Sequence, residues 1–145
     1  MSREIIHTVE VEFGDCDPAR IVWCPNFFRW IDAASRHFFV ACGVPPWHET
    51  ERTLGVIGTP LVDTHATFMK TASYGDVLTI HVSIAQWRVK SFVQHYRVSR
   101  AGSEGDASPP ETIMKCDEVR IFAGRRADGS ILALPIPPQI RTLCE

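Results

Sequence analysis

The stretch "NFFRWIDAASRHFFVACG", Asn26 to Gly43, places Phe27, Ile31, Ala34, Phe38 and Ala41 at successive spacings of four, three, four and three. Residues three and four apart lie on one face of an α-helix, so the run predicts a long helix with an apolar stripe. Pro25 suits the first helical turn, where its missing N–H costs nothing. Gly43 suits the stop, where the chain turns left-handed. The opposite face carries Arg29, Asp32 and Arg36, spaced to pair at i,i+3 and i,i+4. The helix is expected to be central and half buried.

Upstream, Ile6 to Phe13 alternates, with Val9, Val11 and Phe13 on one side, which predicts a first strand. Downstream, "PPWHETERTLG" predicts a short second helix ending at Gly55. From Thr59 the segments "TPLVDTHATFMK", "VLTIHVSIAQW", "SFVQHYRVSR" and "TIMKCDEVRIFAG" are strand-like. In the second of these, Leu78, Ile80, Val82 and Ile84 alternate with Thr79, His81, Ser83 and Ala85. "SYGD" and the Arg88–Lys90 region are short connections, and these imply antiparallel pairing of successive strands. Ala101 to Pro110, "AGSEGDASPP", reads as a long turn between strands. The proline-punctuated tail "LPIPPQIRTLCE" reads as irregular. The expected class is α+β: one domain, residues 1–145, with an antiparallel sheet against one long helix. One helix leaves part of a broad sheet uncovered, which predicts a homo-oligomer.

The 145 residues are 45% hydrophobic and 22% charged, as in ordinary globular chains. A net charge of −2 gives no general pull toward nucleic acid. No apolar run is long enough to span a bilayer and no secretory h-region opens the chain, so the expected compartment is the cytoplasm, with no membrane partner. The five cysteines include no CxxC pair, which argues against a disulfide framework and against a zinc site. No GxxxxGK[ST] or GxGxxG run supports a nucleotide loop.

The helix is preceded by "GDCDPARIVWCPN". Two readings of Asp15 and Asp17 fit. One is a turn built on Asx hydrogen bonds with a proline brake. The other is a carboxylate beside a helix N-terminus, whose unpaired N–H groups stabilise an oxyanion while the carboxylate acts as base or nucleophile. That pair of tools suits acyl transfer. Cys16 and Cys24 are either packed small side chains or thiols activated by the helix end, and no histidine partner is spaced for the second. Arg88 and Lys90 in "WRVKS", and Arg125 and Arg126 further on, are either solvated turn charges or a phosphate clamp.

Together "EFGDCDPARIVWCPNFFRWIDAASRHFF", "CGVPPW", "GTPLVDTHATF", "TASYGDVLTI" and "WRVKSFVQHYRVSR" resemble the 4-hydroxybenzoyl-CoA thioesterases of the hot-dog superfamily, in order from about residue 8 to about residue 123. The resemblance implies the hot-dog fold, an antiparallel sheet wrapped around one long central helix. It also implies dimers or tetramers, here a dimer of dimers, with sites at subunit interfaces. The implied activity is hydrolysis of an aromatic acyl-CoA, with no cofactor or metal and with CoA as part of the substrate. By motif position Asp17 would be the catalytic carboxylate, with Asp15 shaping the turn, and Cys24 would contribute its backbone amide to the oxyanion. Trp23 would line the acyl pocket, with Asp32 and Thr59 as further substrate-binding residues. Arg88, Lys90 and Ser91 would meet the CoA phosphates.

The chain departs from the family pattern in places. Arg20 stands where "DPAGIV" has glycine, and could narrow the pocket, attract a carboxylate-bearing acyl group or point to solvent. Cys24 replaces a frequent aromatic residue. Val89 replaces a second basic residue, a charge that Arg125 or Arg126 would restore. The rival readings are an aliphatic acyl-CoA or acyl-carrier-protein thioesterase and a non-catalytic acyl-CoA binding module. A hydratase would need a placed histidine such as His37 or His65.

Overall fold

The structure is a computed structural model that describes residues 2–102, 105 and 107–145. Its strands are β1 (Ile5–Glu10), β2 (Leu61–Phe68), β3 (Val77–Trp87), β4 (Phe92–Arg100), β5 (Glu111–Arg120), β6 (Phe122–Arg125) and β7 (Ile131–Leu134). Its helices are α1 (Pro25–Ala41), α2 (Trp47–Leu54) and α3 (Pro138–Cys144). β1, β3, β4, β5 and β2 form one antiparallel sheet in that order, and β6 pairs with β7 in a separate hairpin.

The α1 stripe lies against this sheet. Phe27, Ile31, Ala34 and Phe38 are buried, as the spacing predicts, and they share one apolar cluster with Leu78, Ile80, Val82, Tyr96 and Val98. Burial of each large apolar side chain is worth about 1.5–3 kcal/mol. The buried face is wider than the predicted stripe, since Trp30, Ser35 and Phe39 are also inside while Ala41 is exposed. A sheet that curves around a helix meets its flanks as well as its centre line. The stop at Gly43 is a Schellman motif: with φ of +85°, Gly43 donates to the Val40 carbonyl, and Val44 donates to Phe39. Gly55 ends α2 in the same left-handed region, with φ of +74°.

Three expectations are corrected. The predicted ion pairs along α1 give way to other partners: Arg29 donates to Asn26, Arg36 lies over Trp47, and Asp32 pairs with Arg120. Successive strands β2 and β3 are not neighbours, since β4 and β5 lie between them. Three strand spacings are about 14 Å, and the eight residues between β2 and β3 reach up to about 26 Å, so the short connection crosses this gap. The tail is not irregular, because Ile131–Leu134 pairs with β6 and Pro138–Cys144 is helical, with Ile140 and Cys144 buried. Prolines 137 and 138 start this helix instead of preventing it, since neither position needs an N–H. The 101–110 segment does connect β4 to β5, but residues 103, 104 and 106 of that predicted turn lie outside the described residues.

Candidate active site

Residues 12–23 form a small compound turn in front of α1. Asp15 accepts from the Glu12 N–H at 2.9 Å, and its carbonyl accepts from the Trp23 N–H and from Asn26 Nδ2. Asp15 therefore holds the turn to the helix, as expected of it. Cys16 bridges Val22, and the backbone of Asp17 bonds Ile21 in one direction and Arg20 in the other. The result is a miniature hairpin with Asp17–Arg20 at its tip. It is pinned to the β2–β3 connection by the Val22 N–H on the Ala72 carbonyl and the Ser73 hydroxyl on the Arg20 carbonyl.

Asp17 is half buried at the mouth of a cavity of about 640 Å³ lined by Phe13, Cys16, Pro18, Arg20 and Tyr74. Its Oδ1 accepts from the Ala19 N–H at 2.8 Å. Its Oδ2 has no hydrogen-bond partner among the described residues. One oxygen thus fixes the carboxylate and the other is available. Seven residues on, Cys24 caps α1. Its N–H donates to no acceptor among the described residues, while Asn26 and Phe27 turn their N–H groups back to Trp23 and Cys24. A free donor with the positive end of the helix dipole behind it attracts negative charge. Cys24 also lines an apolar cavity of about 180 Å³ with Ile21, Val22, Phe27, Phe68 and Ala72. Trp23, expected in the acyl pocket, is 58% exposed and stands outside the linings of the cavities at Asp17 and Cys24.

Arg20 occupies the left-handed region, with φ of +67°. That conformation costs a side-chain-bearing residue about 1–2 kcal/mol. Glycine is free of that strain but loses about 0.5–1 kcal/mol more entropy on folding. Arg20→Gly is therefore expected to raise stability by roughly 0.5–1 kcal/mol, read as a higher denaturant midpoint at constant slope. The Arg20 side chain is exposed at the rim of the Asp17 cavity.

Asp32 and Thr59 come together elsewhere, around a cavity of about 380 Å³ that also meets Ser35, Arg36, Trp47 and Arg120. Arg120 donates to Asp32 Oδ1 at 3.0 Å and to the Thr59 carbonyl at 2.8 Å, and its Nε and Nη2 grip Glu118. Arg120 and Glu118 are buried, at 5% and 3% exposure. Behind them Gln94 accepts from Ser35 at 2.7 Å and from Tyr96 at 2.9 Å. Burial and then the Glu118 charge push the Tyr96 hydroxyl well above the usual phenol range, so it stays a donor. Sequence reading missed this network. Its trace is the period-two pattern of β5, which puts Cys116, Glu118 and Arg120 on one face.

Arg88 and Ser91 close the β3–β4 turn through the Arg88 N–H and the Ser91 carbonyl, with Lys90 exposed between them. Arg141, not singled out from sequence, lies over Trp87 beside this turn. Arg126 is not gathered into that group. It sits at the tip of the β6–β7 hairpin, bonded to Ser130 and the Ile131 carbonyl. Among the described residues, no cluster of three histidine, cysteine or acidic side chains is arranged to hold a metal, and no helix is long and apolar enough to cross a membrane.

A carboxylate in a turn before a sheet-wrapped helix defines a class. The chain belongs to the Thioesterase-like superfamily, which it matches over residues 11–141. Within it, the chain is 50% identical to the 4-hydroxybenzoyl-CoA thioesterase of Pseudomonas sp. (strain CBS-3), over 99% of both chains. It is similar in structure to a D17N mutant of 4-hydroxybenzoyl CoA thioesterase complexed with 4-hydroxybenzoyl CoA, with a TM-score of 0.92, 46% identity, and coverage of 99% of this chain and 100% of that one. It also resembles BH1999 gentisyl-coenzyme A thioesterase, with a TM-score of 0.76 and 27% identity, over 94% of this chain and 99% of that one.

Proposed function

We propose that this chain, acting as a single hot-dog domain over residues 1–145, hydrolyses an aromatic acyl-CoA, 4-hydroxybenzoyl-CoA or a related benzoyl-CoA, to the free acid and CoA. The observation that carries this is the 50% identity over 99% of the chain to a 4-hydroxybenzoyl-CoA thioesterase, joined to an Asp17 carboxylate with one oxygen free of hydrogen bonds among the described residues.

In this reading the thioester carbonyl oxygen takes the free Cys24 N–H as its donor, and the Cys24 thiol has no part. Asp17 Oδ2 then either attacks the carbonyl carbon or draws a proton from a water that does. In the first route a carboxylate–carbonyl bond forms and the C–S bond breaks. CoA leaves as thiolate and is protonated from solvent, and water then cleaves the mixed anhydride and restores the carboxylate. In the second, water adds directly and the C–S bond breaks with the same products. Neither route calls for a cofactor, and CoA arrives as part of the substrate. Arg88, Lys90 and Ser91 in the β3–β4 turn are the proposed CoA contacts, with Arg126 a lesser one because its guanidinium is engaged locally. Trp23, Arg20, Asp32 and Thr59 are the proposed acyl-side contacts.

The site is proposed to be completed by a second copy within a dimer of dimers. Asp17 and Cys24 open on cavities other than the one that Asp32 and Thr59 line, so in this reading one substrate that meets both groups draws them from two chains. The edge strand β2 supports this, since Leu61, Val62 and Phe68 are 48%, 61% and 44% exposed on it. An open apolar edge of this kind is normally covered. The cytoplasm is the proposed compartment.

The test is CoA-thiol release from benzoyl-, 4-hydroxybenzoyl-, phenylacetyl- and short to long aliphatic thioesters. Fastest turnover on an aromatic member is the expected result. Preference for aliphatic members moves the substrate class, and no release from any member overturns the reading.

A further inference from the structure

Arg20 is out of place by local backbone chemistry. The chain reverses over Pro18, Ala19 and Arg20, closed by the Arg20 N–H on the Asp17 carbonyl and the Asp17 N–H on the Ile21 carbonyl, both at 2.9 Å. A three-residue reversal of this kind ends on a left-handed residue, the natural place of glycine. Arg20 stands there with φ of +67°, and among the described residues no other side-chain-bearing residue has a positive φ. Nothing in the fold repays that strain, because the guanidinium has no hydrogen-bond, ion-pair or ring partner among the described residues. The backbone beneath it is nevertheless held, with the Ser73 hydroxyl donating to the Arg20 carbonyl at 2.6 Å. A strained residue that presents a free cation three positions from the Asp17 carboxylate points to function and not to stability.

The surroundings show what the cation faces. Arg20 lines the same cavity of about 640 Å³ as Asp17, together with Phe13 and Tyr74, whose rings meet edge to face at 5.6 Å. Phe13 is 81% exposed, so this aromatic surface is open. The lining thus joins an apolar wall for a ring, one carboxylate and one cation. Beside Asp17 alone, a second carboxylate is repelled. Arg20 reverses that sign, and its planar fork takes a carboxylate through two parallel hydrogen bonds. The turn also sets the cation apart from the CoA phosphates. Asp17 and Arg20 are the two ends of one turn, with Cα atoms within about 7 Å of each other, whereas the phosphates lie a whole pantetheine arm away from the thioester.

We propose that Arg20 is a specificity-determining residue that admits a further substrate class: aromatic acyl-CoA thioesters whose ring carries a carboxylate, which Arg20 pairs while Asp17 works on the thioester. This rests on the aromatic thioesterase reading above.

The experiment is kcat/KM for benzoyl-CoA and for 3- and 4-carboxybenzoyl-CoA on wild type, Arg20→Gln, Arg20→Lys and Arg20→Gly. Wild type is expected to hydrolyse at least one carboxylated thioester no more slowly than benzoyl-CoA. The carboxylated-to-benzoyl ratio is expected to fall about ten-fold in Arg20→Gln, the lower end for a hydrogen bond to a charged group, because the rim is open to water. Arg20→Gly, which relieves the backbone strain, loses the ratio to the same extent. Arg20→Lys, which keeps the charge without the fork, loses less of it. An unchanged ratio in Arg20→Gln or Arg20→Gly overturns the proposal. The same fall is expected with the pantetheine thioesters, which lack every CoA phosphate. A fall confined to the CoA thioesters assigns the cation to a phosphate and overturns the proposal as well. Wild type that hydrolyses benzoyl-CoA or 4-hydroxybenzoyl-CoA but neither carboxylated thioester overturns this inference alone. Wild type that releases CoA from none of the four overturns the thioesterase reading, and this inference with it.

Discussion

Asp17→Asn is expected to lower kcat for the aromatic thioester by about 10²–10⁴-fold, the range for removing a positioned acid–base group. The substitution is close to isosteric. Its amide oxygen can still accept from the Ala19 N–H, the bond that holds Oδ1 at 2.8 Å, so the Asp17–Arg20 turn survives. What is lost is negative charge on an oxygen that has no hydrogen-bond partner among the described residues. KM should therefore change much less than kcat, and the denaturation midpoint should stay near that of wild type. Steady-state CoA release on both proteins checks this. A variant with wild-type kcat would remove Asp17 from the mechanism and return the turn to a structural role. In single-turnover hydrolysis in 18O-water, label in the enzyme carboxylate establishes the nucleophilic route, since it enters only if Asp17 is acylated.

The largest effect on stability is expected from Arg120→Met, a loss of about 3–5 kcal/mol. Methionine fills much of the stem volume but leaves the Glu118 carboxylate, 3% exposed, without its counter-charge among Gln94, Tyr96 and Phe92. It also frees the Thr59 carbonyl from its only side-chain donor among the described residues. Arg120→Met/Glu118→Leu should recover a large part of the loss, because breaking a buried pair is far costlier than replacing the pair. Urea denaturation of the two variants beside wild type reads the difference. If Arg120→Met and the double variant fall equally, the cost lies in packing and in Thr59, and the buried ion pair has little weight.

These two residues differ in how visible they are to a reader of the sequence. Asp17 is the more visible, since a short run in which aspartate, proline and the start of an amphipathic helix lie within ten positions marks its turn, and the family resemblance picks Asp17 within it. Arg120 is the less visible, because its significance depends on Asp32, eighty-eight positions away, and on Gln94 and Ser35, fifty-nine apart. No periodicity within a strand reports which residues face it across a core.

By itself the sequence determined the long helix, its glycine stop, the second helix and the antiparallel strands. These follow from local periodicity and from residues whose backbone preferences act over one or two turns. The same local chemistry marked the Asp-rich turn ahead of the helix. Only the tertiary structure decided that β4 and β5 lie between β2 and β3, that the tail folds back as a strand and a helix, and that Arg120 joins Asp32 and Thr59. Such pairings are settled by burial of apolar surface and by the cost of leaving a charge or a backbone group unpaired inside. Those costs depend on what meets in space, which spacing along the chain does not encode.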